Sequence, residues 1–188
     1  LSYKALPVET DSYFTGGEAY APTLSRDVIE TENKLYLYSG TSIEIAELDK
    51  DNPRISAKLP VNASADFMGF TLCGDTICLF YNEEDGVYAE GYNADGTSAF
   101  SYRQSGSLIG LKAEDDRLII ATSYAFPETA DKNSPESFMP KYTLNGKEET
   151  ADFSAVSVPD NAHYNRFTAV GAVSGDSAEI SAVLGGYN

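Results

Sequence analysis

Few residues in this chain are able to do chemistry, and they are scattered. His163 is the only histidine, so any Ser-His-Asp or Cys-His relay would have to run through it. It stands in the stretch PDNAHYNRF without a nucleophile-elbow motif, and it reads as a surface histidine in a loop leading into a strand. Carboxylates gather at Asp49-Lys50-Asp51, Glu83-Glu84-Asp85 and Glu114-Asp115-Asp116. Oxygen-rich turns can hold Ca²⁺, yet none of the three has the spacing of a calcium loop, and solvated turn residues account for them. A carboxylate pair could also serve glycoside hydrolysis, because the required separation of about 5–10 Å is set by the fold and not by sequence spacing. No pair stands out, so the sequence nominates no catalytic residue, no metal ligand set and no cofactor site.

Cys73 and Cys78 flank Gly74-Asp75-Thr76-Ile77. A two-residue hairpin turn at Gly74-Asp75 would set them diagonally on one face, about 7–8 Å apart at Cα, too far for an easy disulfide. A four-residue loop would place them opposite each other, where a bridge could close. Two reduced, packed thiols are expected, since free cysteine is among the most readily buried residues. A C-x₄-C pair with no second ligand cluster is not a zinc site.

Recognition chemistry has better candidates. Arg103, Arg117, Tyr124 and Tyr142 surround the hairpin at 106–126 and a proline-bearing segment that follows it. Arginine and tyrosine on loops over a rigid scaffold are common binding residues, with packing of the tyrosines between sheets as the competing account. Asn62-Ala63-Ser64 fits the glycosylation acceptor pattern.

The elements that must position these residues repeat. Runs of apolar residues begin at Leu35, Ile77 and Leu118, 42 and then 41 residues apart. Each follows a turn (Glu30 to Lys34, Gly74-Asp75, Ala113 to Asp116), and each turn follows another apolar run. Further hairpin signals recur at Glu84-Asp85-Gly86, Asn93-Ala94-Asp95-Gly96 and Asn145-Gly146. Two closing strands are expected at Arg166 to Val173 and Ala178 to Leu184. The second strand of each unit is apolar on consecutive residues, so both of its faces must be covered.

Four-stranded units of about 40 residues stacked face to face provide that cover, as the blades of a β-propeller do. The expectation is an all-β, propeller-like chain of about three four-stranded antiparallel blades, at residues 26–65, 66–104 and 105–188. An inserted loop at 126–140, with a helical turn near Pro135 to Phe138, interrupts the third. Residues 1–25 form an N-terminal extension or an edge strand. A β-sandwich is the structural alternative. Three blades cannot close a ring, so the chain is expected to be a fragment of a longer propeller, or to cover its open edges with the N-terminal segment or a second copy.

Thirteen Lys and Arg against 29 Asp and Glu give a net charge of −16, which repels phosphate backbones and anionic membranes and disfavours nucleic acid as a partner. No apolar stretch approaches the roughly 20 residues of a membrane span. Thirteen Tyr, nine Phe and 15 Gly without Trp tilt the composition toward strands and turns. The chain begins at Leu1 without a signal-peptide pattern, as a trimmed or processed chain would.

The segments QSGSLIGLKAEDDRLIIATSYAF, SPESFMP, FTAVGAVSG and ISAVLGG, together with RDVIETENKLYLYSGTSIEIAEL, resemble segments of a family of bacterial secreted proteins with a C-terminal β-propeller domain, in the same order and with compatible spacing over roughly residues 26–186. The resemblance implies export, an extracellular or cell-surface setting and further blades, and carries over no catalytic residue. The expected function is a non-catalytic module that binds a protein or glycan at the cell surface, or serves as a scaffold, with self-association through exposed blade edges. A glycan hydrolase using acidic residues at the propeller face is the alternative.

Overall fold

The computed structural model describes residues 24–48, 54–125, 140–150 and 163–187. These residues form strands and turns, with no helix among them. Sheet one is an antiparallel meander of β1 (Val28–Glu30), β2 (Lys34–Tyr38), β3 (Ser42–Glu47) and β4 (Arg54–Pro60). Sheet two begins as a second meander, β5 (Asp66–Cys73), β6 (Thr76–Glu83), β7 (Gly86–Tyr92) and β8 (Ser98–Ser105). Sheet three holds β9 (Ser107–Glu114), β10 (Arg117–Ala125), β13 (His163–Ser174) and β14 (Ser177–Tyr187) in the order β14-β13-β10-β9.

The repeat seen in the sequence is real in three dimensions, since the apolar runs at 35, 77 and 118 are β2, β6 and β10, the second strand of each sheet. Strand β6 shows why its residues are apolar without alternation. Ile77, Leu79 and Tyr81 pack toward sheet one with Tyr36, Ile43, Ile45 and Leu59. Cys78 and Phe80, pointing the other way, pack toward sheet three with Leu111, Leu118, Ile120 and Val173. All five β6 residues are fully buried, and burial of Ile77, Leu79 and Phe80 contributes about 1.5–3 kcal/mol each. The arrangement is therefore three sheets with the middle one covered on both faces, where a sandwich would have two.

Sheet two departs from four strands. The hairpin β11 (Lys141–Leu144) and β12 (Lys147–Thr150) extends it beyond β8 to six, in the order β12-β11-β8-β7-β6-β5, so residues 141–150 do not join the rest of 105–188 in sheet three. The physical reason lies in its alternation. Tyr142 is buried beside Tyr102, with ring centroids 6.5 Å apart, and Leu144 packs on the same core between sheets two and three. Asn145 then fixes the register, its backbone N–H donating to Ser101 O at 2.8 Å and its Oδ1 accepting the Ser101 N–H at 2.9 Å. With φ of 51° and 82°, Asn145 and Gly146 form the left-handed two-residue turn that this dipeptide favours.

The N-terminal part of the described chain behaves as a short edge. Ser25 exchanges two backbone hydrogen bonds of 2.9 Å with Phe70 of β5. Residues 1–23, the acidic turn Asp49-Lys50-Asp51, and the insertion with its expected helical turn, apart from the buried Pro140, lie outside the described residues. His163 opens strand β13, in register with Tyr187, where a loop was expected, because β13 and β14 extend the predicted final hairpin at both ends.

A polar cluster ties sheet two to sheet three through the apolar core. The Tyr102 hydroxyl donates to Gln104 Oε1 at 2.6 Å, and Gln104 Nε2 donates to Thr122 Oγ1 at 2.8 Å and to Ala169 O at 3.0 Å. Thr122 Oγ1 donates in turn to Ser105 O at 2.7 Å. Gln104 and Thr122 are buried, and no buried side-chain polar atom among the described residues lacks a partner. Gly171 makes room for this cluster: a Cβ there would stand 2.2 Å from the Tyr102 hydroxyl.

Candidate functional site

Because sheet two has six strands and sheet one four, part of the face that β6 turns toward sheet one extends past it. One register row crosses that whole face: Phe67, Tyr81, Tyr88, Arg103, Thr143 and Glu148 are successive cross-strand partners from β5 to β12. Directly opposed residues share a face and touch. Phe67 and Tyr81 have ring centroids 5.6 Å apart, and Tyr81 stacks on Tyr88 at 5.7 Å. Tyr38 of sheet one continues the run, 4.8 Å from Phe67.

At the exposed end of the aromatic run the Arg103 guanidinium lies over the Tyr88 ring, 3.8 Å from its centroid. Its Nε donates to both Glu83 carboxylate oxygens, at 3.1 and 3.2 Å. The side chain is still 46% exposed. Its two Nη groups, which carry four of the five guanidinium donors, have no protein partner among the described residues. The Nε bonds and the ring contact fix the seat of a side chain that is still partly open to solvent.

Next to it, Glu90 accepts hydrogen bonds from the Tyr88 hydroxyl at 2.6 Å and the Tyr92 hydroxyl at 3.2 Å. The alternation Tyr88-x-Glu90-x-Tyr92 in β7 puts all three on this face. Burial, then the bond to Glu90, pushes the Tyr88 phenol well above its ordinary pKa, with Arg103 pulling the other way. Burial and Glu90 likewise raise Tyr92. Burial pushes Tyr81 up to about 12, although the Asn62 backbone N–H donating to its hydroxyl opposes the shift. The phenols stay neutral at ordinary pH, with those of Tyr88 and Tyr92 donating to Glu90, and the face offers planar stacking surfaces and phenolic oxygens.

The four binding candidates from the sequence do not converge. Arg103 is on the face just described. Tyr142 pairs with Gln104, one residue along, and so turns to the opposite face and into the core. Arg117 and Tyr124 both lie on β10, the first exposed beside the β9–β10 turn and the second half-buried seven residues on, about 23 Å away along the strand. Tyr88, Glu90 and Tyr92 were not among the candidates, and their period-two spacing was the available signal.

The other chemistry-bearing groups sit apart. Gly74-Asp75 is a two-residue turn, since Cys73 pairs with Thr76 and Thr71 with Cys78, so the cysteines are diagonal, buried and free. Burial raises both thiols, Cys78 most strongly. Asp115-Asp116 is the turn of the β9–β10 hairpin, and the neighbouring Glu114 pairs with Lys112, whose hydrogen bond and charge hold its carboxyl below the usual range. Among the described residues, no group of three or more His, Cys, Asp and Glu side chains is placed to hold a metal ion. No helix among them is long and apolar enough to cross a membrane.

Fold and face together define an all-β protein of three antiparallel sheets with an arginine–tyrosine strip on the overhang of its middle sheet. No protein-family model matches the chain, and no curated protein matches its sequence.

Proposed function

We propose that this chain is a non-catalytic extracellular recognition module of β-propeller type, whose contact surface is the overhanging face of sheet two. The observation that carries this reading is the half-exposed Arg103 guanidinium, seated over Tyr88 and bonded through Nε to Glu83. A planar donor fork whose conformation is fixed before binding loses little entropy when it engages a ligand. The blade assignment rests on the 42- and 41-residue period and on the coverage of β6 from both sides, although the three sheets among the described residues do not close into a ring. The extracellular setting rests on the resemblance to secreted propeller proteins.

A protein or a glycan would suit such a face, and the neutral phenols with the neighbouring Ser101 and Thr143 hydroxyls favour a neutral glycan. A net charge of −16 works against acidic polymers. Hydrolysis is less well supported, because the Glu83 and Glu90 carboxylates on this face are already engaged as acceptors by Arg103 and by two tyrosines. Affinity electrophoresis against neutral and acidic polysaccharides tests the reading. Retardation by a neutral polysaccharide that Arg103→Ala abolishes is expected. Failure of every neutral polysaccharide to retard the chain would remove the glycan, and retardation unchanged in Arg103→Ala would remove this face.

A further inference from the structure

Arg103 and Glu83 meet across an intervening strand. Arg103 is on β8 and Glu83 closes β6, so their backbones stand two strand spacings apart, roughly 10 Å, with β7 between them. The β7 residues beneath the contact are Tyr88, the register partner of Arg103, and Gly86, the register partner of Glu83. Tyr88 gives the guanidinium a surface to lie on, and Gly86 has no side chain to place between the two charges.

An exposed arginine is ordinarily an anion site, because its fork matches carboxylate and sulfate oxygens two at a time. Here the charge is already met. Both Glu83 oxygens accept from Nε, and the pair is open to solvent, Arg103 at 46% and Glu83 at 38%. Glu90 adds another carboxylate to the face, and Glu148, at the end of the register row, is paired with Lys141. Among the described residues, Glu83, Glu90 and Glu148 outnumber Arg103 and Lys141 on this face, and Glu84 and Asp85 stand exposed in the turn beside Glu83. An arriving carboxylate or sulfate meets a compensated arginine in acidic surroundings. A hydroxyl or ring oxygen needs only an N–H donor, and the Nη groups supply it.

We propose that Glu83 sets the charge selectivity of the face: by compensating Arg103 it makes the guanidinium a reader of uncharged oxygens, so that neutral glycans are admitted and uronic-acid or sulfated glycans refused. The proposal rests on the reading of this face as a glycan contact, and adds the residue that chooses among glycans.

Glu83→Gln tests it, because glutamine keeps the length and an oxygen for the Arg103 Nε–H while removing the charge. The measurement is affinity electrophoresis of the 188-residue chain in polygalacturonate at low ionic strength. The apparent affinity of Glu83→Gln should exceed that of the wild-type chain by about fivefold, the worth of one exposed charge pair. Added salt should erode the gain, and a further Arg103→Ala should remove it. Glu84→Gln, the same charge change one residue along in the exposed turn, should produce no gain. The proposal is overturned if Glu83→Gln binds polygalacturonate no better than the wild-type chain or Glu84→Gln, or if the gain survives the loss of Arg103. Hydroxyethylcellulose, run alongside, should retard the wild-type chain and Glu83→Gln alike. Its loss in Glu83→Gln alone would place Glu83 in the frame of the site and overturn the role in selectivity. Absence of retardation in both counts against the neutral-glycan reading, while the polygalacturonate comparison decides Glu83 on its own.

Discussion

The Arg103 guanidinium rests 3.8 Å from the centre of the Tyr88 ring while Glu83 holds its Nε. Both contacts are partly solvent-exposed, which limits them to about 0.5–1 kcal/mol for the cation–π pair and 0–1 for the ion pair. Arg103→Ala should therefore lower stability by at most about 1–2 kcal/mol in urea denaturation while abolishing ligand retention. Because Arg103 lowers the Tyr88 phenol pKa, its removal should move tyrosinate formation at Tyr88 to still higher pH in an ultraviolet titration. A loss of several kcal/mol would mean that the arginine is part of the frame and not an open recognition group.

Gln104 presents the opposite case, a polar group wholly inside. Gln104→Ala leaves the Tyr102 hydroxyl, Thr122 and the Ala169 carbonyl short of partners in the core, at about 1–3 kcal/mol for each group left unsatisfied. A drop of about 2–5 kcal/mol in chemical denaturation is expected. Gly171→Ala attacks the same cluster sterically, since its Cβ would fall 2.2 Å from the Tyr102 hydroxyl and 2.4 Å from Gln104 Oε1. The two substitutions should be less than additive in combination, and strict additivity would show that the cluster does not act as a unit.

How far the sequence reaches can be seen at particular residues. The doubly apolar run Ile77 to Phe80 was enough to demand cover on two faces, and the structure supplies it, because a strand's two faces are written directly into adjacent residues. The hairpins at Gly74-Asp75, Asp115-Asp116 and Asn145-Gly146 were legible for the same local reason. The sheet that β11 joins was not. Tyr142 and Leu144 announce a strand with one buried side, but the choice of β8 as partner depends on Asn145 meeting Ser101, 44 residues away. Of the recognition face, Arg103 was visible as a binding candidate, whereas its place in a strand and its seat on Tyr88 are matters of cross-strand register. Gln104 was not singled out, since its partners Thr122 and Ala169 lie 18 and 65 residues away.

The cysteines make a chemical prediction. Both thiols are buried, their pKa values are raised by burial, and the two-residue turn holds them diagonal. Since the thiolate is the reactive form, alkylation by a maleimide should be slow in the folded chain and complete in denaturant. Mass spectrometry would show two labels only after unfolding, and electrophoretic mobility should not change with reductant. Rapid labelling of the native chain, or a mobility shift on reduction, would contradict the buried dithiol.

Alkaline pH reads the tyrosines. Tyr81 is pushed up to about 12 by burial, and burial raises Tyr88 and Tyr102 as well. An unfolded tyrosine loses its proton near pH 10, so above that value the unfolded state sheds protons that the folded state retains. These groups thus leave stability intact below about pH 10 and erode it as pH climbs through their folded values. Urea midpoints measured from about pH 8 to about pH 11 should hold level and then fall. Tyr81→Phe removes one of the contributing protons along with the hydroxyl that accepts the Asn62 N–H. Its midpoint should start slightly lower and decline less steeply, and an equally steep decline would mean that Tyr81 ionises in the folded protein as readily as in the unfolded chain.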